Sequence, residues 1–320
     1  MLKRIAWIVL LALAAFSAAA QTSYPARPIR FVVPYPPGGF TDILARLIGQ
    51  KLTDSWSQPV VIENKGGGGS TIGTDIVAKA APDGYTILMV APDLAINPSL
   101  YAKLPYDTAR DFAPVSLVAW GPIALVVHPS LQVSTLKEFV ALAKASPRPL
   151  NYASGGNGTA GHLAMELFKS TAGIPLVHVP YKGIAPASTD LLSGQVPVMF
   201  LQMALARPHV MAGRLRALAV AGSRRSEALP DVATVAEAGL PGFEVNPWFG
   251  VVAPAGTPAD VVAKLSSEVG RIMRLPDVKE RIATQGGEPA ANTPDEFGAF
   301  LRLEILKWAK VAKDSGARVD

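Results

Sequence analysis

The segment IRFVVPYPPGGFTDILARLIGQKL, residues 29–52, contains the structural unit from which most of the chain is built. Its first part, residues 29–35, is apolar and β-prone, which predicts a strand. A Pro-Pro-Gly-Gly loop follows at residues 36–39. Over residues 41–52 the apolar positions 43, 44, 47 and 48 share one face, which predicts an amphipathic helix. We therefore interpret the segment as a strand, a Gly-rich loop and a helix.

The same unit recurs along the chain. Further strands are predicted at residues 58–63, 85–90, 150–153, 176–179, 196–200 and 216–220. A Gly run at residues 66–69 leads into a predicted helix at 70–80, and a loop at 154–158 leads into one at 159–171. Alternation of strands with helices predicts an α/β fold with a parallel sheet covered on both faces.

The last part of the chain departs from this alternation. Residues 258–273 and 294–315 are predicted as strong helices, and they come too late to continue a second sheet, so we expect them to return to the first. The predicted division is 24–122 plus 250–320 for lobe one, and 123–249 for lobe two. Two chain crossings, near residues 119–125 and 246–252, would then form a hinge.

Residues 1–20 have the features of a secretory signal peptide. Lys3 and Arg4 precede an apolar run at residues 5–16, and three alanines at 18–20 provide small residues for cleavage before Gln21. A transmembrane anchor is the alternative, but the run is short for about 30 Å of hydrocarbon. No cysteine follows the run, which excludes a lipobox anchor. We therefore expect an exported protein without a stable membrane anchor.

The composition of the 320 residues argues against several classes of function. The chain has no cysteine and only four histidines, none closely paired, so neither a disulfide nor a zinc site is expected, and no cofactor is predicted. The net charge of +5 falls by two, to +3, without Lys3 and Arg4. The remaining basic residues are scattered, with Arg224-Arg225 the one adjacent pair, so nucleic acid is not an expected partner.

Two Gly-rich loops, at residues 36–42 and 154–162, each precede a predicted helix. In α/β sheets such loops lie at the carboxyl ends of strands, where ligands bind. The first turn of a helix has unpaired N–H groups and partial positive charge, so it can hold an anion without a charged side chain. Thr41, Ser154 and Thr159 could add hydroxyl donors. The alternative is that the glycines only form tight turns.

The sequence gives little support to the hypothesis that the protein is an enzyme. Residues 156–161, GNGTAG, match the dinucleotide-binding pattern GxGxxG, but the next strand ends at Tyr181-Lys182 without an acid to bind a ribose. Neither a GxSxG elbow nor a GxxxxGK[ST] phosphate loop occurs. We therefore predict that the protein is not an enzyme. The alternative is an exported hydrolase, and a nucleophile–base pair in the cleft would indicate it.

Several polar residues have two interpretations each. His162, in the first turn of a predicted helix, could donate a hydrogen bond to a ligand or cap the loop. Asp42 and Asp190 lie near helix starts, where stabilisation of the dipole is the favoured interpretation. Tyr181 and Lys182 follow a strand and could reach the cleft, where Lys182 would either attract an anion or lie in solvent.

An ordered set of motifs extends over nearly the whole mature chain. The motifs include VPYPPGG at 33–39 with Asp42 and Arg46, PVVIEN at 59–64, AAPDGY at 80–85, NPSLY at 97–101, VPYKG at 179–183 and APAGTP at 253–258. In this order they resemble the Bug-type (TctC-like) periplasmic solute receptors of tripartite tricarboxylate transporters. The resemblance implies a two-lobe, type II Venus-flytrap fold in the periplasm, which binds a small carboxylate and docks to membrane permease subunits, as a monomer.

The resemblance also implies which residues bind the ligand. In this family a carboxylate is held by main-chain amides and ordered waters of the two Gly-rich loops. The family pattern carries over to Gly38, Gly39, Ser154, Gly158, Thr159 and His162, and also to Tyr181 and Lys182. The full set of predicted ligand-binding residues is Pro37, Gly38, Gly39, Phe40, Thr41, Asp42, Ser154, Gly155, Asn157, Gly158, Thr159, His162, Tyr181, Lys182, Met203 and Phe249.

The chain departs from the family pattern at apolar positions. Phe40 stands where a small residue is usual, and residues 91–94 and 201–203 lack polar side chains common in the family. We therefore hypothesise an apolar cleft that suits an aromatic or longer aliphatic diacid. Its predicted walls are Phe40, Leu94, Met203, Trp248 and Phe249, and the alternative is that these side chains pack in the core. A sensory receptor of the same fold is a further alternative for the whole protein.

Overall fold

The computed structural model describes residues 24–315, so the predicted signal peptide lies outside the described residues. The strands are β1 Ile29–Val33, β2 Val60–Asn64, β3 Thr86–Val90, β4 Phe112–Trp120, β5 Ile123–Val127, β6 Leu150–Ser154, β7 Leu176–Pro180, β8 Val198–Gln202, β9 Arg216–Val220, β10 Trp248–Pro254 and β11 Glu288–Pro289. The helices are α1 Phe40–Trp56, α2 Thr71–Ala78, α3 Asp93–Leu100, α4 Leu136–Ala145, α5 Ala160–Ala172, α6 Ile184–Leu192, α7 Met203–Met211, α8 Ala259–Met273, α9 Pro276–Thr284 and α10 Pro294–Ser315.

The first lobe is built on a six-stranded sheet with the order β11-β4-β10-β3-β1-β2. Strands β1, β2 and β3 run parallel, with Phe31 opposite both Ile62 and Ile87. Strand β10 runs antiparallel to β3 and β4, so the sheet is mixed and the expectation of a parallel sheet is wrong. The reason is that β10 returns from the second lobe and enters the sheet in the opposite direction.

The second lobe is built on a five-stranded sheet with the order β7-β6-β8-β5-β9. Strands β6, β7 and β8 pair in parallel, whereas β5 is antiparallel to both β8 and β9. Helix α4, beside this sheet, begins with a capping box between Thr135 and Glu138. That box fixes the start of α4.

The chain crosses between the sheets at two adjacent places, and this agrees with the predicted fold class. Strand β4 ends at Trp120 and β5 begins at Ile123, so only Gly121 and Pro122 separate the two sheets there. The second crossing leads into β10, and the N–H group of Gly121 donates to the carbonyl of Pro247 at 2.9 Å. This bond ties the two crossings together at the hinge.

Apolar faces of helices cover the first sheet. Leu44, Leu47 and Ile48 of α1 are buried, as the helical pattern predicted, and the late helix α8 packs against α1 and β4. Helix α10 lies against α3 and β4, so both late helices pack on the first lobe.

Within residues 24–315 no helix is both long enough and apolar enough to cross a lipid bilayer. In the same range, no three His, Cys, Asp or Glu side chains are grouped as metal ligands would be.

Candidate ligand-binding site

A cavity lies between the two lobes, beside the hinge. The space free of protein atoms there is about 770 Å³, which includes space that is open to solvent. The first lobe and the second crossing contribute residues 35–37, Gly39, Thr41, residues 91–93, Pro247 and Phe249. The second lobe contributes Ile123, Gly155, residues 159–161, residues 183–185, Met199, Phe200 and Gln202. Both Gly-rich loops therefore reach the same cavity.

Five of the described helices begin at the cavity wall, and in three of them, α1, α5 and α6, the N-cap residue is a glycine or directly follows one. The N-cap residues of these three are Gly39 for α1, Thr159 for α5 and Gly183 for α6, and the described part of the chain shows no side-chain cap at any of them. The first N–H groups of a helix have no partner within the helix, and the helix dipole adds partial positive charge there. The cavity is therefore a favourable place for an anion, although no basic side chain belongs to the described wall.

Asp42 stabilises the first Gly-rich loop, at residues 36–42, through hydrogen bonds of its carboxylate. One carboxylate oxygen accepts from the Gly38 N–H at 3.1 Å and from Arg46 Nε at 3.0 Å, and the other accepts from Asn64 Nδ2 at 2.9 Å. Burial raises the pKa of Asp42, but these donors outweigh burial and hold the pKa below its ordinary value. Asp42 does not belong to the cavity wall, and its bonds agree with the capping interpretation.

Ser154 and two histidines support the second loop. The Ser154 hydroxyl lies 2.6 Å from His178 Nε2 and accepts from the Gly156 N–H at 3.1 Å. His162 Nδ1 accepts from the Gly158 N–H at 3.2 Å, and its ring stacks on His178 with the centroids 4.1 Å apart. His162 therefore caps the loop, and Ser154 is fully buried.

The histidine pair predicts a loss of stability in acid. Burial lowers the pKa of His162 to about 4, and burial together with His162 lowers that of His178 to about 3. The unfolded chain therefore binds more protons than the folded one as pH falls from 6.5 towards 4. We expect the free energy of unfolding to fall across this range by about 3 kcal/mol for each of the two histidines, measured by urea titration at each pH.

A His162→Gln variant is the control for this pH dependence. It should be less stable near neutral pH but should lose less stability on acidification than the wild type. An unchanged acid slope in the variant would contradict the assignment to the histidine pair.

Some of the predicted ligand-binding residues line the cavity, and others do not. Pro37, Gly39, Thr41, Gly155, Thr159 and Phe249 line it. Gly38, Asp42, Ser154, Asn157, Gly158 and His162 lie in the same two loop–helix segments without lining it. The Thr159 hydroxyl donates to the Gly156 carbonyl at 2.8 Å, so it is already engaged within its own loop.

The remaining predicted residues do not line the cavity. Phe40 is buried against Phe249 with the ring centroids 5.0 Å apart, and Met203 is buried at the start of α7. Leu94 and Trp248 are also core residues, which leaves Phe249 as the member of the apolar set that reaches the wall. The Tyr181 hydroxyl donates to Asp190 at 2.6 Å, and Lys182 is exposed outside the cavity.

Glycines allow the lobes to approach closely beside the cavity. A Cβ atom on Gly158 would lie 2.6 Å from Asn97 Oδ1, and one on Gly183 would lie 3.0 Å from the Pro36 ring. Both glycines also have positive φ, +79° and +125°, which favours glycine. Gly158, predicted to bind the ligand, thus lies at a contact between the lobes.

The structure adds wall residues that the sequence did not single out. These are chiefly Tyr35, Asp93 and Gln202, together with the first turn of α6. The start of α6 repeats the pattern of strand, glycine and helix, so that signal was available. Asp93 lies within residues 91–94, a stretch expected to make the cleft apolar through Leu94, so a carboxyl group was not expected in the wall.

Two mixed α/β sheets, two adjacent crossings and a cavity between the lobes define the class of two-lobe periplasmic binding proteins. Residues 44–317 match the family model described as the tripartite tricarboxylate transporter family receptor, TctC. The chain belongs to this family of transporter receptors, as the sequence motifs predicted, and the family is not enzymatic.

Individual relatives are similar along nearly their whole length. Protein BugT of Bordetella pertussis is 41% identical over 299 residues, which cover 93% of this chain and 92% of BugT. A solved structure from R. palustris with adipate is 37% identical, with a TM-score of 0.89, over 92% of this chain and 100% of that one. MatC from Rhodopseudomonas palustris with bound malate is 34% identical, with a TM-score of 0.84, over 90% and 99%.

Proposed function

We propose that this protein captures a small carboxylate between its lobes in the periplasm and presents it to the membrane permease subunits of a tripartite tricarboxylate-type transporter. The observation that carries the proposal is the convergence of the N-termini of α1, α5 and α6 on one cavity without a basic side chain in its described wall. Backbone amides are then the donors that hold the carboxylate. The relatives with adipate and with malate support the same ligand class.

The apolar part of the wall suits the carbon skeleton of such a ligand. Ile123, Met199, Phe200 and Phe249 line the cavity beside the helix starts. Burial of an apolar skeleton contributes about 25 cal/mol per Å² of surface removed from water. An aromatic or longer aliphatic diacid would bury more of its skeleton against this wall than a short one. We propose both aromatic and aliphatic diacids as ligands.

A thermal-shift screen of the mature protein tests the proposal. The panel contains mono-, di- and tricarboxylates, aliphatic and aromatic, with the matching alcohols as controls that lack the carboxylate. A ligand at about 100 times its dissociation constant stabilises the folded state by roughly 2.7 kcal/mol, so a true ligand raises the melting temperature clearly. A panel in which no carboxylate raises it, or in which the alcohols act equally, would refute the proposal.

A further inference from the structure

The described cavity wall contains a single charged residue, and that residue is an acid. Asp93, the first residue of α3, lies in the wall and is only 3% exposed. The wall has no lysine, arginine or histidine to pair with it. A site for an anion thus includes a buried carboxyl group, which the backbone amides alone do not explain.

Neighbouring hydroxyl groups hold Asp93 in this position. The Tyr35 hydroxyl donates to Asp93 Oδ1, and the Ser70 side chain is buried nearby. Tyr35, Ser70 and the backbone N–H of Asp93 stabilise the carboxylate, and because a carboxylate has about four acceptor positions, capacity for a further donor is left. Tyr35 lies in the wall beside Asp93, so this capacity is next to the space that a ligand would fill.

A second acceptor lies on the opposite lobe. Gln202, at the end of β8, lines the cavity, and its Oε1 is buried without a hydrogen-bond partner among the described residues. A buried acceptor without a donor costs about 1–3 kcal/mol, so a donor supplied by a ligand would be favourable there. Asp93 and Gln202 therefore present acceptors from both lobes.

We propose that Asp93 is a specificity residue, and that the ligand carries a hydrogen-bond donor, an N–H group or a hydroxyl, in addition to its carboxylate. The inference rests on the proposed function. The carboxylate meets the helix N-termini, and the donor group meets Asp93, with Gln202 as a second acceptor. A second carboxylate beside the buried Asp93 would place two like charges close together, which is unfavourable.

The protonation of Asp93 gives the selectivity a pH dependence. Burial raises its pKa to about 6, while the Ser70 and Tyr35 hydroxyls lower it. The other titratable groups facing it are Tyr35, Tyr101 and Tyr106, whose raised pKa values keep them neutral near pH 7. Below its pKa Asp93 is uncharged and no longer repels a second carboxylate. Affinity for dicarboxylates should therefore rise as pH falls through about 6.

Matched ligand pairs test the proposal by isothermal titration calorimetry. One pair is adipate and its mono-amide, and the other is terephthalate and its mono-amide. At about pH 7.5 we expect wild-type protein to bind the mono-amide about 10-fold more tightly than the diacid, and at about pH 5.5 we expect this preference to shrink.

The variant Asp93→Asn removes the charge and keeps an acceptor for Tyr35. It should bind diacid and mono-amide with similar affinity, and its preference should not change between the two pH values. Asp295→Asn, which removes an exposed first-turn acid from α10, is the matched control and should behave as wild type. If Asp93→Asn does not fold, the pH dependence of the wild type still decides the question.

The failure of this inference differs from the failure of the proposed function. Wild-type binding of diacids as tight as that of mono-amides at about pH 7.5, or a carboxylate screen with hits only among acids without an N–H or hydroxyl donor, would overturn the role of Asp93 alone. Absence of binding to every carboxylate would overturn both.

Discussion

Replacement of Glu304 by alanine is expected to lower the free energy of unfolding by about 4 kcal/mol, because two buried indole N–H groups lose their acceptor at about 1–3 kcal/mol each. Glu304 Oε2 accepts from Trp248 Nε1 at 2.8 Å and from Trp308 Nε1 at 2.9 Å. Trp248 and Trp308 are 0% and 2% exposed, so water cannot replace the carboxylate. A urea titration measures the difference.

Glu304→Gln is the matched control for this prediction. Its side-chain oxygen still accepts hydrogen bonds and its volume is nearly unchanged, so the loss should be about 1–2 kcal/mol. Equal losses for the alanine and glutamine variants would mean that the negative charge, and not the pair of indole bonds, stabilises this region. A loss below about 1 kcal/mol for the alanine variant would contradict the argument.

Ala185→Phe is expected to weaken binding of the carboxylate found in the screen by about 100-fold, or about 2.8 kcal/mol. Ala185 is the second residue of α6, lies in the cavity wall and is exposed, so a phenyl ring there fills ligand space and opposes closure. Because the ring replaces no core contact, the free energy of unfolding without ligand should change by only about 0.5 kcal/mol. Calorimetry and urea titration measure the two quantities.

Ala141→Phe provides the control for steric bulk. Ala141 is an exposed alanine of α4, also in the second lobe, and it does not line the cavity. This variant should bind the carboxylate as wild type does. If Ala185→Phe also binds with wild-type affinity, the ligand does not occupy this cavity.

Local patterns predicted many of the strands and helices, but not the direction of every strand. The apolar runs of β1 and β3 and the amphipathic face of α1 are properties of short segments, so they are readable from sequence. The antiparallel entry of β10 depends on a chain that has passed through the other lobe. No short segment encodes that path, and the parallel sheet was therefore the wrong expectation.

Internal prolines concealed two helices. Helix α3 contains Pro98 and α7 contains Pro208, and a proline inside a helix usually argues against one. Pro98 has no N–H group that could donate to the carbonyl of Leu94 in α3. That carbonyl instead accepts a hydrogen bond from the Thr108 hydroxyl at 2.9 Å. A side chain 14 positions away thus compensates for the proline, and this contact is not visible in local sequence.

The Gly-rich loops of the candidate site were predictable from the sequence, but the side chains that form the rest of the cavity wall were less so. Glycines before a helix identified the segments around Gly39 and Thr159, both of which reach the cavity. Phe40 and Met203 were expected in the wall, but they are buried in the core. Whether a side chain points into a cavity or into the core depends on how the lobes pack. For the same reason Asp93 is not among the predicted wall residues.

The starts of α1, α5 and α6 at the cavity have a consequence for how such receptors diverge. A backbone amide belongs to every amino acid except proline, so most single mutations at these positions alter the surroundings of the donor but do not delete it. A duplicated gene copy can therefore change the wall side chains one at a time while its means of holding an anion persists. Such a scaffold can acquire a new nutrient without passing through a form that binds nothing.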